Sequence, residues 1–277
     1  HTGPALLVTG PPGSGRTTTA LALVAERLGS GRLAPQEVLL LAPTRRAAAG
    51  LRDQLSSHVR VTAGAPVVRT PSSAAFAILR ARSALLGEPP PVLISGPEQD
   101  LVLSELLAGH ADGVGARPAW PARVPAEALG LRAFRDELRD LLMRAAERGL
   151  RPEDLAALGE QHHRPEWVAA AAVYGEYLDV TRLRAGTPDS GARYDAAAVV
   201  DEAAQALLGW DREVGRGDRP RWRLVVVDDH QESTAATARL LQVLAADGAD
   251  LVLLADPDSA VQTFRGAAPA MVARAPL

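Results

Sequence analysis

Residues Val8 to Ala20 read VTGPPGSGRTTTA. The stretch follows the phosphate-wrapping pattern G-x-x-x-x-G-K-[ST], with Gly10, Gly15 and Thr17 in place and arginine at position 16 where the pattern has lysine. The apolar run Ala5 to Thr9 precedes it and a helical pattern, Thr17 to Leu28, follows. Strand, glycine loop and helix form the context that such a loop needs. Gly10, Gly13 and Gly15 allow backbone N–H groups to curl around phosphates, and the helix N-terminus adds partial positive charge. Pro11, Pro12, Ser14, Arg16 and Thr18 complete the expected nucleotide-binding set, and the Thr17 hydroxyl can be offered to Mg²⁺. A glycine-rich strand–helix turn without a ligand is the alternative.

Composition supplies one account of Arg16. The 277 residues include no lysine, no asparagine and two isoleucines, the usage of a genome rich in G and C. A composition that replaces lysine everywhere replaces it here too. The consequence is a separate matter, because arginine is a planar fork and lysine a compact point charge. With 47% hydrophobic residues the chain can bury a sizeable core. It has no cysteine, which excludes disulfides and thiolate metal sites. Its apolar runs are too short for a membrane span and nothing resembles a signal peptide, so no membrane is expected and the cytoplasm is the default location. The start at His1 and the end soon after a motif suggest a fragment of something longer.

Further apolar runs, VLLLA (Val38 to Ala42), PVV (Pro66 to Val68), LVVV (Leu224 to Val227) and LVLLA (Leu251 to Ala255), read as strands buried on both faces of a parallel sheet. Helical patterns follow most of them, at Arg46 to Ser57, Ser73 to Leu86 and Thr234 to Ala246, the last with Ser233 as its expected N-cap. The fold class is therefore α/β. From Glu88 to Arg221 no strand is expected. Amphipathic helices near Gln99 to Ala108, Leu131 to Arg148, Pro165 to Arg184 and Ala196 to Leu208 alternate there with Pro/Gly-rich connections. The expected organisation is a core of residues 1–87 and 222–277 interrupted by an all-helical insertion, 88–221.

A second motif, LVVVDDHQEST, ends a buried strand in two carboxylates. Asp228 stands where a Mg²⁺ holder is needed beside a phosphate loop, and Asp229 where a water-activating base would sit. Charge is unevenly spread although the net charge is −3. Between Ala42 and Arg82 seven arginines face one acid, and from Asp201 to Asp258 twelve acids face six arginines. The arginine run is either a solvated helix face or a track for a DNA backbone. The QHH at Gln161 to His163 has no nearby ligand set. Trp120, Trp167, Tyr174 and Tyr177 have the spacing of core packing, and His230 receives no role.

About two hundred residues, most of them helical insertion, separate the two motifs, and at that spacing the sequence resembles the UvrD/RecB type of superfamily 1 DNA helicases. VLLLAPTRRAAAGLRDQL is similar to their motif Ia, with Thr44 and Arg46 at DNA-backbone positions. VRTPSSAAFAILR resembles the next motif, with Thr70 and Ser73 retained. LVVVDDHQEST is similar to D-E-x-Q-D-[ST], and LLADPDSAVQTFRGA to G-D-x-x-Q-[SA]-I-Y-x-[FW]-R-G-A. Within that family RPEWVAAAAVYGEYL and the layout are most similar to the AdnA type of subunit of actinobacterial helicase–nucleases. The resemblance implies a RecA-like P-loop core that uses ATP and Mg²⁺ and moves 3′ to 5′ on single-stranded DNA. It further implies action at duplex ends in double-strand-break repair, at the nucleoid, beside a paralogous AdnB-like motor–nuclease subunit.

The departures from the family pattern bear on chemistry. Arg16 replaces lysine, Asp229 the catalytic glutamate and Ser259 the glutamine that senses the γ-phosphate. Gln262 stands at the place of a stacking tyrosine, whereas Phe264 keeps the second aromatic, expected on DNA, and Arg265 the arginine, expected on nucleotide. Asp229 is one methylene short, about 1.5 Å, and a misplacement of about 1 Å costs on the order of 10²-fold. Losing the γ-phosphate contact at Ser259 removes about 2–4 kcal/mol if the donor is preorganised. Weak hydrolysis is the expectation. A subunit that binds nucleotide and DNA without significant turnover is the rival reading.

Overall fold

The computed structural model describes residues 5–59, 66–185, 191–215, 219–256 and 258–259. Along the chain run β1 (Ala5–Thr9), α1 (Arg16–Gly29), β2 (Val38–Leu41), α2 (Arg45–His58), β3 (Val68–Arg69) and α3 (Pro71–Leu86). Then come β4 (Val92–Leu93), α4 (Gly96–Ala111), α5 (Ala126–Leu129), α6 (Arg132–Glu147), α7 (Pro152–Gln161) and α8 (Pro165–Ala185). The chain continues through β5 (Arg193–Tyr194), α9 (Val199–Glu213), β6 (Leu224–Val227), α10 (Ala235–Ala246) and β7 (Asp250–Ala255). Two compact units result, residues 1–82 with 200–277 and residues 83–199.

In the first unit the described residues form five parallel strands in the order β1-β7-β6-β2-β3. Every residue of β2 and β6 is buried, as is β7 beyond Asp250. Two covered faces explain why these strands read as unbroken apolar runs. Successive side chains alternate between faces. Leu40, Val226, Val252 and Leu254 join Leu21 and Val24 of α1 and Leu51 and Leu55 of α2 in one core. Leu39, Val225 and Leu253 turn to the other face and are equally buried, with α10 packed on β7.

β1 departs from the expected two-sided burial. Among the described residues it stands at the sheet edge, pairs with β7 alone, and leaves Leu6 56% exposed. β3 is Val68–Arg69, not Pro66 to Val68, because proline has no N–H to give to a ladder. The cap of α10 is Thr234, whose Oγ1 accepts the Thr237 N–H at 3.2 Å. Ser233 instead meets His230 Nδ1 at 3.1 Å.

The second unit has its own core. Leu103 and Leu107 of α4, Leu138 and Leu142 of α6, Leu155 of α7, and Val173, Tyr174 and Tyr177 of α8 converge there. Trp120 and Trp167 pack against it. Beside the core, the Gln99 amide and the Tyr177 hydroxyl both donate to the buried Asp195 carboxylate, the latter at 2.8 Å. Burial pushes the Asp195 carboxyl above its ordinary value, and those two hydrogen bonds oppose it.

The unit is not strand-free. β4 and β5 form a parallel pair of two residues each, too short to leave a periodic signal. Its limits also differ from those expected, because α9 after Val199 goes with the sheet. Trp210 and Leu207 of α9 are fully buried, and Asp201 at its start meets Arg239 of α10 at 2.6 Å. Arg219 beyond its end forks onto Asp247.

Candidate nucleotide-binding site

The loop Gly10 to Gly15 carries β1 into α1 at the carboxyl end of the sheet, where open α/β sheets bind ligands. Gly13 and Gly15 have φ of 78° and 84°, values that residues with a Cβ rarely adopt. At Gly10 a Cβ would sit 2.8 Å from Ser14 Oγ, so the loop folds tightly on itself. The Gly10 N–H donates to Ala255 O at 3.3 Å and the Ser14 N–H to Pro11 O at 3.2 Å. Gly15 is the N-cap of α1 and supplies no side-chain acceptor. The first N–H groups of α1 therefore face outward without a side-chain cap, the donor arrangement an anion requires.

Thr17, in the first turn of α1, donates its hydroxyl to Asp228 Oδ1 at 2.9 Å. Asp228 ends β6, and its N–H continues the ladder to Leu41 O at 2.9 Å. Burial pushes its carboxyl above the ordinary value, the Thr17 hydrogen bond and Arg16 pull it down, and the neighbouring Asp229 charge pushes it up. A buried carboxylate with a hydroxyl at its side suits Mg²⁺, which takes one or two protein oxygens and completes its shell with water and phosphate. Among the described residues no cluster of three His, Cys, Asp or Glu side chains could hold a metal, Gln161 to His163 included.

Asp229 has φ 49° and ψ 52°, a left-handed conformation uncommon for a residue with a side chain. Gln231 holds it, donating Nε2 to Asp229 Oδ1 at 3.1 Å while Oε1 accepts the Asp256 N–H at 2.9 Å. Burial lowers the pKa of His230 between them. Ser259 lies back on Asp256 O, 3.2 Å from its N–H and 3.4 Å from its Oγ. A cleft of about 480 Å³ separates Gly10, Pro11 and Pro12 from Asp256, Asp258 and Ser259. A larger cavity, about 560 Å³, lies at the opposite end of the strands among Leu6, Leu23, Arg27, Arg32 and Arg223, away from the glycine loop and the Asp228 and Asp229 carboxylates.

Arg16 points elsewhere than a phosphate-binding lysine is expected to point. Its Nη1 donates to Ala255 O at 2.8 Å and lies 3.9 Å from Asp256 Oδ2. Thr18 is exposed on α1.

Thr44 and Thr70 occupy equivalent places after β2 and β3. The Thr44 hydroxyl accepts the Ala47 N–H at 3.1 Å and caps α2, and the Thr70 hydroxyl accepts the Ser73 N–H at 3.2 Å at the start of α3. Arg45 and Arg46 are exposed in the first turn of α2, which holds no acid. Ser73 is exposed as well. Elsewhere in the arginine run, Arg69 folds back onto Pro66 O and Arg82 pairs with Glu213 at 2.8 Å. Phe264 and Arg265 lie outside the described residues.

The sequence profile of the UvrD/REP helicase N-terminal domain matches residues 1–276. The chain belongs to that family. The ATP-dependent DNA helicase UvrD2 of Mycobacterium tuberculosis H37Rv is 28% identical over 282 residues, which cover 96% of this chain and 36% of that protein. The ATP-dependent DNA helicase UvrD1 of Mycobacterium leprae is 25% identical over 96% of this chain and 33% of its own length. The chain thus spans about a third of the length of these curated relatives.

Membership in the UvrD/REP helicase N-terminal domain family accounts for the parallel sheet with the glycine loop after its first strand. The structure adds two residues to the site, Gln231 and Asp256. Both lie within motifs, Gln231 as the glutamine of D-E-x-Q-D and Asp256 as the first acid of the last motif. Their partners, however, could be found only from the strand order. Among the described residues no helix is long and apolar enough to cross a membrane.

Proposed function

We propose that this chain is the ATP-binding motor domain of a UvrD-type, ATP-dependent DNA helicase. The observation that carries the reading is the Thr17–Asp228 contact at the mouth of an uncapped glycine loop. Gly10, Pro11, Pro12, Gly13, Ser14, Gly15 and the first turn of α1 to Thr18 would hold the phosphates, and Thr17 and Asp228 would hold Mg²⁺. That ion would supply charge neutralisation at the phosphates. Asp229 would orient water, Ser259 faces the same cleft, and Arg265 would complete the nucleotide set.

Single-stranded DNA would run past Thr44, Arg46, Thr70, Ser73 and Phe264. Two arginines at the positive end of α2, with no acid in that turn, are unfavourably placed unless an outside anion balances them. A sheet core interrupted by the 83–199 unit fits a motor half with an inserted subdomain. Calorimetry on the full-length protein with Mg²⁺ and a non-hydrolysable ATP analogue tests the reading. Absence of binding at millimolar analogue would end it.

A narrower reading follows from the replaced positions. An AdnA-like subunit, paired with an AdnB-like motor–nuclease for 3′–5′ processing of duplex ends at the nucleoid, would itself hydrolyse weakly or not at all. The geometry that favours this is Arg16 turned onto the end of β7. Asp228→Ala would then leave unwinding by the assembled heterodimer within about threefold of normal, and a hundredfold loss would make this subunit a genuine motor.

A further inference from the structure

The end of β7 sits between the phosphate loop and Asp228, because β7 lies between β1 and β6 in the sheet. Three side chains converge on it. Arg16 Nη1 donates to Ala255 O at 2.8 Å and lies 3.9 Å from Asp256 Oδ2, inside ion-pair distance and beyond hydrogen-bond reach. Asp256 is 3% exposed, and its Oδ1 accepts the Asp258 N–H at 3.1 Å while its Oδ2 is buried without a hydrogen-bond partner. Gln231 accepts the Asp256 N–H at 2.9 Å and donates to Asp229 at 3.1 Å. A carboxylate withdrawn from water needs a cation or a full set of hydrogen bonds. Arg16 provides the charge, and its fork can serve a carbonyl and a carboxylate together, as an ammonium point charge does less well.

We infer that Arg16 is a positioning residue for the end of β7, and that nucleotide phosphates and Asp256 compete for its guanidinium. The clamp on β7 stands by itself, and the competition rests on the nucleotide reading above. Held by Arg16, the Asp256 N–H stays against Gln231, and Gln231 fixes the Asp229 carboxylate. A phosphate that draws Arg16 away loosens Asp256 and, through Gln231, resets Asp229. Nucleotide arrival is then signalled to the base position by the loss of a contact.

Hydrogen–deuterium exchange on the full-length protein tests this, read in overlapping peptides that isolate the Asp256 amide and in peptides of the Gly10–Thr17 loop. Without nucleotide, Arg16→Ala should speed exchange at Asp256 about tenfold. Adding Asp256→Asn to that chain should restore part of the protection, since the buried charge is gone. Arg16→Lys should fall between wild type and Arg16→Ala. With Mg²⁺ and a non-hydrolysable ATP analogue, the wild type should gain protection in the loop and lose it at Asp256, whereas Arg16→Ala should show no change at Asp256. An unchanged Asp256 rate in nucleotide-free Arg16→Ala overturns the clamp. An equal analogue response in both chains overturns the competition. If the analogue protects the loop in no chain, the competition falls with the nucleotide reading, and the nucleotide-free comparison still decides the clamp.

Discussion

The Thr17 hydroxyl and the Asp228 carboxylate meet at 2.9 Å although 211 residues separate them along the chain. A hydrogen bond to a charged group contributes about 1.5–3 kcal/mol. Thr17→Val keeps the shape of the side chain and removes the hydroxyl. Its affinity for a Mg²⁺-bound ATP analogue should fall on the order of 10- to 100-fold, measured by calorimetry with circular dichroism as the check on folding. Undiminished affinity would separate the pair from the nucleotide.

Asp228 also sets a pH dependence. Burial holds its carboxyl above the ordinary value, and a cation takes the ionised form, so binding the cation releases a proton at any pH low enough to protonate the carboxyl. Affinity for the Mg²⁺-bound analogue should weaken as pH falls through the raised carboxyl pKa. Titrations across that range in two buffers of different ionisation enthalpy count the released proton. Asp228→Asn should bind weakly at every pH and release none.

At Arg46 the measurable quantity is a slope. Each phosphate neutralised contributes about 0.7 to the dependence of log K on log salt for single strands. Arg46→Ala in the full-length protein should lower the slope by about that amount and weaken binding similarly across sequences. An unchanged slope would leave Arg46 as a solvated helix residue.

His230 is buried beside the site and its pKa lies below the ordinary 6.5 because charging it would require desolvating the cation. The unfolded chain takes up that proton first as pH falls, so the stability contributed by neutral His230 is full above about 6.5 and lost as pH drops through the interval to the folded pKa. Denaturant melts of the wild type should show this decline, and His230→Gln should flatten it.

In the second unit the sign is opposite. Asp195 has its pKa raised by burial, so between the ordinary value of 3.8 and the folded value the native state holds the extra proton. Stability falls as pH rises through that window. Asp195→Asn leaves an oxygen to accept from Gln99 and Tyr177 while abolishing the charge. The variant should lack this decline and be the more stable form above the window, by urea midpoint.

Legibility in the sequence followed burial. β2, β6 and β7 were readable because both their faces are covered, which demands unbroken apolar runs. β4 and β5 were not, since two residues carry no period. The loop, Thr17 and Asp228 were readable as local patterns. The link from Arg16 through Asp256 and Gln231 to Asp229 was not, because it depends on β7 lying between β1 and β6, and residue spacing carries no strand order. The place of α9 is not legible in the sequence for the same reason: its amphipathic face fits a helical insertion or a sheet equally well, and Arg219–Asp247 and Asp201–Arg239 join distant parts of the chain.

The edge position of β1 has a consequence for biosynthesis. β1 hydrogen-bonds to β7 and to no other described strand, with Ala5 opposite Leu251. β1 therefore leaves the ribosome long before β7, its partner among the described strands, exists. At about 5–20 residues per second the interval is roughly 10 to 50 seconds. Throughout that time the glycine loop has no ladder to anchor it, and the apolar face of β1 stands open to other nascent chains. The phosphate cradle, translated well before β7, is among the last parts of the sheet to form.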